Sequence, residues 1–209
     1  RVLRRAIEWE LYPGPIPFFR MPKFDNRRLR FLSPSEAERL LNTLHTQSEV
    51  WHDITLFALN TGLRAGEIYA LKPYYFNNQN NIINIVDTKT SSSRSIPLNT
   101  DASHIARKYF TSSKKSSYFK QIQSRYYIFQ EAVTECGFNI GVKDRRERVC
   151  FHTLRHTFAS WLVQRGTPLA LVSQLLGHKD IRMTLRYSHL APDQGQHAVS
   201  SLPLLQRHH

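Results

Sequence analysis

Hydrophobic residues recur at helical spacing along most of this chain. Ser33-Pro34-Ser35-Glu36 is a capping box with proline at the first helical position, and Ala37, Leu40, Leu41 and Leu44 follow it on one helical face. Related patterns predict further helices, which span residues 50–60, 63–68, 101–110, 118–136, 153–165, 168–176, 181–186 and 193–206. Most of the chain is therefore expected to be α-helical.

One segment has the pattern of a β-hairpin instead. The β-branched residues within 82–86 indicate a strand, residues 88–93 a polar turn, and residues 94–98 the returning strand. This is the one convincing β region of the sequence. We therefore predict a mainly α fold with a small antiparallel β-sheet, of the α+β class.

The character of the chain changes at two places. Residues 1–32 hold four prolines followed by a basic run, which predicts an extended basic linker that follows a short helix end. Residues 33–190 are continuously patterned and are expected to form one domain. Residues 191–209 then form a tail. The missing initiator methionine and the final Arg-His-His indicate an excised fragment, with His208 and His209 left from a purification tag.

The chain also carries a large positive charge of +13, from 29 lysine and arginine residues against 16 aspartate and glutamate residues. Such a charge favours a polyanionic partner, and nucleic acid is the leading one. No apolar run reaches the roughly 20 residues of a membrane span, and the first residues are too polar for a signal peptide. With Cys136 and Cys150 alone, we expect no disulfide framework and a reducing cytoplasm.

Residues 151–190 concentrate side chains that suit phosphate chemistry. This segment contains His152, Arg155, His178 and Tyr187. Arginine forks can hold non-bridging phosphate oxygens, and a phenol can act as the attacking group.

Competing chemistries lack their signatures in this sequence. There is no phosphate-binding GxxxxGK[ST] loop and no HExxH motif. Cys136, Cys150, His152 and His156 fit no common zinc spacing, and no carboxylate cluster suits a two-metal nuclease. Metal-free phosphoryl transfer to a tyrosine remains, with a lysine of the hairpin as a proton donor to the leaving oxygen.

Five motifs occur in one order along residues 31–190. They are Thr61-Gly62-Leu63-Arg64-Ala65-Gly66-Glu67-Ile68, Thr88-Lys89-Thr90 with Arg94-Ser95-Ile96-Pro97-Leu98, His152-Thr153-Leu154-Arg155-His156-Thr157-Phe158-Ala159, Leu175-Leu176-Gly177-His178 and Thr184-Leu185-Arg186-Tyr187. Each motif alone is weakly specific. Together they resemble the catalytic domain of the tyrosine recombinases, the phage-integrase family of site-specific DNA recombinases.

This resemblance implies which residues bind the scissile phosphate. Arg64 and Arg155 would hold it, and His178 would donate to a non-bridging oxygen. Glu67 would brace the first arginine from behind.

The resemblance also implies which residues move protons. Tyr187 would form the 3′-phosphotyrosyl bond, and Lys89 would be the general acid for the leaving 5′ hydroxyl. His152 and His156 compete for a role in proton transfer at the nucleophile. The family pattern favours His152 and leaves His156 as a packing or supporting residue.

The implied function is site-specific DNA recombination without a metal, ATP or another cofactor. The expected partners are double-stranded recombination sites, contacted by Arg94 and Lys179 among others, and further protomers in a synaptic tetramer. The isolated protein is expected to be a monomer in the cytoplasm, at the nucleoid, without a membrane partner. The tail would dock on a neighbouring protomer, and residues 1–32 would be the linker from an upstream DNA-binding region.

Three alternatives stay open at this point. A type IB topoisomerase uses a similar site but relaxes supercoils. A DNA-binding regulator could have lost catalysis, although all six catalytic residue types are present. A metal-dependent nuclease would be inhibited by EDTA.

Overall fold

A computed structural model describes residues 2–16, 30–87, 92–110, 119, 122–193 and 195–203. Its α-helices are α1 (Val2–Glu8), α2 (Pro34–Gln47), α3 (Glu49–Thr61), α4 (Ala65–Ala70), α5 (Thr100–Phe110), α6 (Tyr127–Glu135), α7 (Phe151–Gln164), α8 (Leu169–Leu176) and α9 (Gly195–Ser200). Short 3-10 helices cover Pro73–Tyr75, Gln123–Arg125, Ile181–Met183 and Leu185–Leu190. The strands are β1 (Phe76–Asn77), β2 (Ile82–Asp87) and β3 (Ser92–Pro97). The predicted fold class, mainly α with a small antiparallel sheet, is confirmed.

Helix α2 begins at the capping box. Ser33 Oγ accepts a hydrogen bond from the backbone N–H of Glu36 at 3.2 Å, and the Glu36 carboxylate accepts one from the backbone N–H of Ser33 at 2.9 Å. These bonds satisfy donors that a helix start leaves unpaired. Arg30 binds the same carboxylate through both terminal nitrogens and so fixes the approach to the helix.

Helix α3 lies at the centre of the hydrophobic core. Its Trp51, Ile54 and Phe57 side chains are fully buried, and it packs against α2, α5 and α7. The helix ends at Gly62, whose φ is +62° and where an added Cβ would overlap the Phe158 ring. Glycine meets both demands without strain. The chain therefore turns sharply here and places Arg64 just beyond the helix end.

The sheet has three antiparallel strands in the order β1-β2-β3, one more than the predicted hairpin. In its register Ile83 lies opposite Ile96, and both are buried on the face that covers the core. The added strand β1 is only two residues long and pairs with the start of β2. The turn between β2 and β3, which contains Lys89, lies outside the described residues.

The helix predicted over residues 118–136 is shorter where the structure describes it. A 3-10 turn at Gln123–Arg125 precedes α6, because the N–H of Tyr126 bonds back to the carbonyl of Gln123, three residues earlier. The Tyr126 ring stacks on Phe129 at 5.8 Å and belongs to the core, whereas Tyr127 is exposed. Tyr118, at the start of the predicted helix, lies outside the described part.

Helix bounds near the site also differ from prediction. Helix α7 begins at Phe151, two residues early, because Thr153 Oγ1 accepts the Cys150 N–H at 3.0 Å and caps the start there. His152 thus lies inside the first turn. The segment predicted as one helix over 181–186 forms two 3-10 helices.

The tail contributes one short helix. The helix predicted over residues 193–206 is represented in the described part by α9 alone. Across the described ranges, no helix is both long and apolar enough to cross a membrane.

Candidate active site

Helix α7 places Arg155 in the interior, where its side chain joins the ends of two other helices. Arg155 is 3% exposed, and it donates to the Gly62 carbonyl at 2.8 Å and to the Leu176 carbonyl at 2.6 Å. Both carbonyls lie at helix C-termini, which carry partial negative charge and lack intrahelical donors. Burial, and next the nearby charge of Arg64, lower the pKa of Arg155 to about 9, so the group stays cationic at neutral pH.

Arg64 supplies a second guanidinium beside the first. It is the residue before α4, its side chain is 41% exposed, and its Nη1 donates to Glu67 at 3.1 Å. The charge of Arg64 acts on Arg155, so the two cations lie close together. Like charges held together by a fold repel each other until an anion binds between them. The pair is therefore suited to hold a phosphate.

Glu67 organises this cationic cluster. Its carboxylate accepts hydrogen bonds from the backbone N–H of Arg64 at 2.8 Å and from two nitrogens of Arg94 at 2.9 and 2.8 Å. Burial opposes ionisation of Glu67, but the bonds from Arg94 and Arg64 outweigh it and lower its pKa below the ordinary value. The ionised Glu67 carboxylate thus holds both Arg64 and Arg94.

Arg94 lies against the protein rather than on an open surface. Its side chain is 12% exposed, and its Nε donates to the Leu175 carbonyl at 3.1 Å in addition to the two bonds to Glu67. Gly177 makes room for it: a Cβ there, where φ is +65°, would lie 2.8 Å from Arg94 Nη1. This arrangement favours a bracing role for Arg94. A contact from Arg94 to DNA stays a prediction.

His178 follows Gly177 and faces the same cationic cluster. Its Nδ1 lies 2.7 Å from the hydroxyl of buried Thr184. Burial, and then the charges of Arg155 and Arg64, lower the pKa of His178 to about 4, so the imidazole is neutral at pH 7. A neutral ring can donate from Nε2 only when Nδ1 accepts from the Thr184 hydroxyl. In that tautomer, His178 can donate to a phosphate oxygen.

Tyr187 lies in the second of two short 3-10 helices, Leu185–Leu190, and it is buried. The side chain is 6% exposed, and burial raises its pKa to about 12, against the opposing charges of Arg186 and Arg155. The phenol contacts His156, which directly follows Arg155 on α7. A protonated phenol of this kind needs a proton acceptor before it can attack.

His156, not His152, contacts the phenol. His156 Nδ1 lies 2.5 Å from Tyr187 Oη, and both side chains are buried. His152 is exposed, and its ring meets the His156 ring edge-on with the centroids 4.8 Å apart. The sequence interpretation ranked His152 above His156. The available signal was their spacing of four residues, which puts both on one face of a helix.

The structure thus brings most of the predicted residues together. Arg64, Arg155, His178 and Tyr187 interact electrostatically as one cluster. Lys89 lies outside the described residues, and Lys179 is exposed beside the cluster. Among the described residues, no group of three or more histidine, cysteine, aspartate or glutamate side chains is arranged to hold a metal ion.

Comparison with known proteins identifies the family. The model of the phage integrase family matches residues 30–194. The chain is 31% identical over 210 residues to the integrase of Salmonella phage P22, covering 92% of this chain and 52% of that protein. It is 28% identical over 191 residues to tyrosine recombinase XerA of Saccharolobus solfataricus, covering 91% of this chain and 62% of that protein.

A solved structure agrees with these relatives. The catalytic domain of bacteriophage HP1 integrase superposes with a TM-score of 0.68 at 28% identity, covering 84% of this chain and 96% of that one. The chain spans only about half to two thirds of the length of the curated relatives named above. The match over residues 30–194 includes every predicted site residue, and the chain belongs to the phage integrase family.

Proposed function

We propose that this chain is the catalytic part of a site-specific DNA recombinase, which cleaves and rejoins strands through a covalent 3′-phosphotyrosyl intermediate. One observation carries the proposal: buried Arg155 is fixed to the two helix ends that precede Arg64 and His178, and the residue after it, His156, contacts Tyr187. A phosphate clamp and a nucleophile therefore share one site. The curated relatives are integrases and tyrosine recombinases, so the topoisomerase, regulator and nuclease alternatives are not favoured.

The clamp would act on the scissile phosphate. Arg64 is partly exposed and can reach an incoming phosphate, while Arg155 is held from behind and presents its charge without rearrangement. His178 would donate to a further non-bridging oxygen. Because negative charge grows on these oxygens in the transition state, preorganised donors stabilise it more than they stabilise the bound substrate.

The chemical step would exchange one phosphodiester for another. The Tyr187 oxygen forms a bond to phosphorus, and the bond from phosphorus to the 5′ oxygen breaks. The phenolic proton goes to a histidine, and Lys89 gives a proton to the leaving 5′ oxygen. The phosphotyrosyl ester keeps the free energy of the broken bond, so a 5′ hydroxyl from another strand can reverse the step without ATP.

Double-stranded DNA would be the partner, and the charge of +13 supports this. Binding should weaken steeply with salt, because phosphate contacts release counterions.

A synaptic tetramer is part of the proposal. Val199 and Leu202 of the tail are 66% and 65% exposed, as expected of apolar side chains that dock on another protomer. The division into linker (1–32), catalytic domain (33–190) and tail, and action at the nucleoid, belong to the same proposal.

The proposal is tested with DNA whose sequence need not be known beforehand. Duplexes with a randomised centre, nicked so that cleavage releases a short fragment, are incubated with the protein in EDTA. Adducts that survive SDS are recovered and sequenced, and the recovered sequence is then assayed for joining between two duplexes. We expect EDTA-resistant adducts and recombinant joints. Cleavage that requires Mg²⁺, or relaxation of supercoils without any joints, would overturn the proposal.

A further inference from the structure

Resting on the proposed function, we propose that His156 accepts the phenolic proton of Tyr187 during strand cleavage, and that His152 passes this proton to solvent. His156 would then be a catalytic residue in its own right, because it touches the reacting oxygen. The family resemblance gives the role at the nucleophile to His152 and leaves His156 as packing.

The first support is direct contact. His156 Nδ1 and Tyr187 Oη are 2.5 Å apart, so the two groups are in direct hydrogen-bond contact. His156 is 6% exposed and Tyr187 is 6% exposed, so water is a poor competitor for this proton. Helix α7, which carries His156, packs directly on the Leu185–Leu190 turn that carries Tyr187. The contact is therefore fixed by two packed elements.

The second support is the position of His156 next to Arg155, a member of the proposed phosphate clamp. His156 directly follows Arg155 on α7, so the same helix turn holds both a phosphate ligand and the contact to the nucleophile. A phosphate bound at Arg155 would lie near the phenol, since the next residue on the helix, His156, contacts Tyr187. The proton would leave Tyr187 on the side of His156 while phosphorus approaches from the side of the arginines.

Proton balance defines the tautomer that this step needs. His156 must be neutral with its proton on Nε2, so that Nδ1 offers a lone pair to the phenol. Proton transfer gives an imidazolium and a phenolate, and the phenolate oxygen then bonds to phosphorus. When the strands rejoin, a proton returns from water through His152 and His156 to the Tyr187 oxygen as the phosphotyrosyl bond breaks. No further reactant is required.

The surroundings explain why the proton should move on. A cavity of about 30 Å³ beside His156 and Tyr187 is lined by Arg186, Ser160 and other residues. A buried imidazolium close to the Arg186 guanidinium is unfavourable, because like charges repel strongly where solvent is excluded. His152 is exposed and its ring lies edge-on to that of His156. Transfer to His152 would bring the charge to water.

The test uses single-turnover cleavage of the duplex recovered with the randomised pool. His156→Gln keeps a hydrogen-bonding amide near the phenol but cannot take up a proton, and we expect cleavage to slow by about 10²- to 10⁴-fold, the usual worth of general-base catalysis. DNA affinity and the thermal midpoint should stay close to those of the unchanged protein. His104→Gln, an exposed histidine of α5, is the matched control and should cleave normally.

A second variant separates catalysis from packing. Replacing Tyr187 by 2,3,5-trifluorotyrosine gives a phenol that ionises near neutral pH and needs no base. In that background His156→Gln should change the cleavage rate less than about threefold, and added imidazole should partly restore His156→Ala with the ordinary tyrosine. A full loss from His156→Gln in the fluorinated protein would mean that His156 acts only through packing and would overturn the proposal. So would normal cleavage by His156→Gln with the ordinary tyrosine.

The outcomes also distinguish this inference from the function on which it rests. If the unchanged protein forms no covalent adduct with any duplex, the proposed function fails. If it forms adducts and His152→Gln removes the activity while His156→Gln does not, the function stands and the assignment of His156 fails.

Discussion

Arg94 and Glu67 are joined by two parallel hydrogen bonds of 2.9 and 2.8 Å, which connect strand β3 to helix α4. The same arginine reaches the end of α8 through the Leu175 carbonyl. Because Glu67 also holds Arg64, this ion pair ties the hairpin and the His178 turn to the first arginine of the clamp. Three elements distant in sequence therefore share one electrostatic brace.

The first prediction concerns this brace. Arg94→Ala should lower the free energy of unfolding by about 2–3 kcal/mol, because it leaves the largely buried carboxylate of Glu67 short of its main partner. Urea unfolding measures the loss. Arg182→Ala is the control: its pair with Asp180 is at the surface, with 84% of the arginine side chain exposed, and its loss should cost much less than the loss of the Arg94 pair. Equal losses in both variants would contradict the bracing role.

The second prediction concerns Gly177. Gly177→Ala should destabilise the protein for two reasons. The φ of residue 177 is +65°, and the added Cβ would lie within 3.0 Å of the Arg94 guanidinium. Gly141→Ala has the same backbone strain, with φ of +71°, but open space around the Cβ. We expect a cost of about 1 kcal/mol at Gly141 and at least about 1 kcal/mol more at Gly177. Cleavage should slow only in Gly177→Ala, and thermal unfolding with cleavage kinetics checks both.

The third prediction follows from the pKa of His178. Burial and the neighbouring arginines lower it to about 4 from an ordinary value of 6.5. Between pH 6.5 and 4 the unfolded chain therefore binds a proton that the folded chain does not, and stability falls as the pH falls. Between pH 7 and 5, the unfolding free energy of His178→Gln should fall by about 1 kcal/mol less than that of the unchanged protein. This figure is reduced to allow for the partial exposure of His178. An unchanged slope of unfolding free energy against pH would refute this.

The fourth prediction concerns assembly. Val199→Ser with Leu202→Ser should weaken self-association on DNA at least about fivefold, because both side chains are exposed apolar residues of the tail. Ile140→Ser removes an equally exposed apolar side chain, 79% exposed, from the main domain and should leave association unchanged. Sedimentation of protein–DNA complexes distinguishes the variants. If deletion of residues 193–209 also left association unchanged, docking through the tail would be refuted.

Local rules predicted much of the fold. The capping box at Ser33 and the left-handed glycines at 62 and 177 mark helix ends that the structure keeps, because each depends on neighbouring residues alone. The 3-10 turn before α6 and the third strand were missed. The turn depends on weak i to i+3 bonds, and the third strand depends on a pairing of only two residues. Neither produces a periodic pattern of hydrophobic residues in the sequence.

The candidate site shows the same contrast between features that local sequence predicts and features that it does not. Arginine, histidine and tyrosine motifs identified the residues, but their contacts depend on tertiary packing. The pairing of Arg94 with Glu67 spans 27 positions, and the contact between His156 and Tyr187 spans 31. Such contacts are set by how α7 packs on the elements around it. The family pattern favoured His152 without any information on these contacts, and the contact from Arg94 to DNA stays a prediction.

The central claim is that Tyr187 becomes covalently joined to DNA. The most direct measurement is mass spectrometry of peptides from the SDS-resistant adduct, after nuclease digestion. We expect a nucleotide attached through its 3′ phosphate to the peptide that contains Tyr187, complete loss of the adduct in Tyr187→Phe, and normal adduct in Tyr127→Phe, the exposed tyrosine of α6. An adduct that persists in Tyr187→Phe, or one that maps to another residue, would contradict the account.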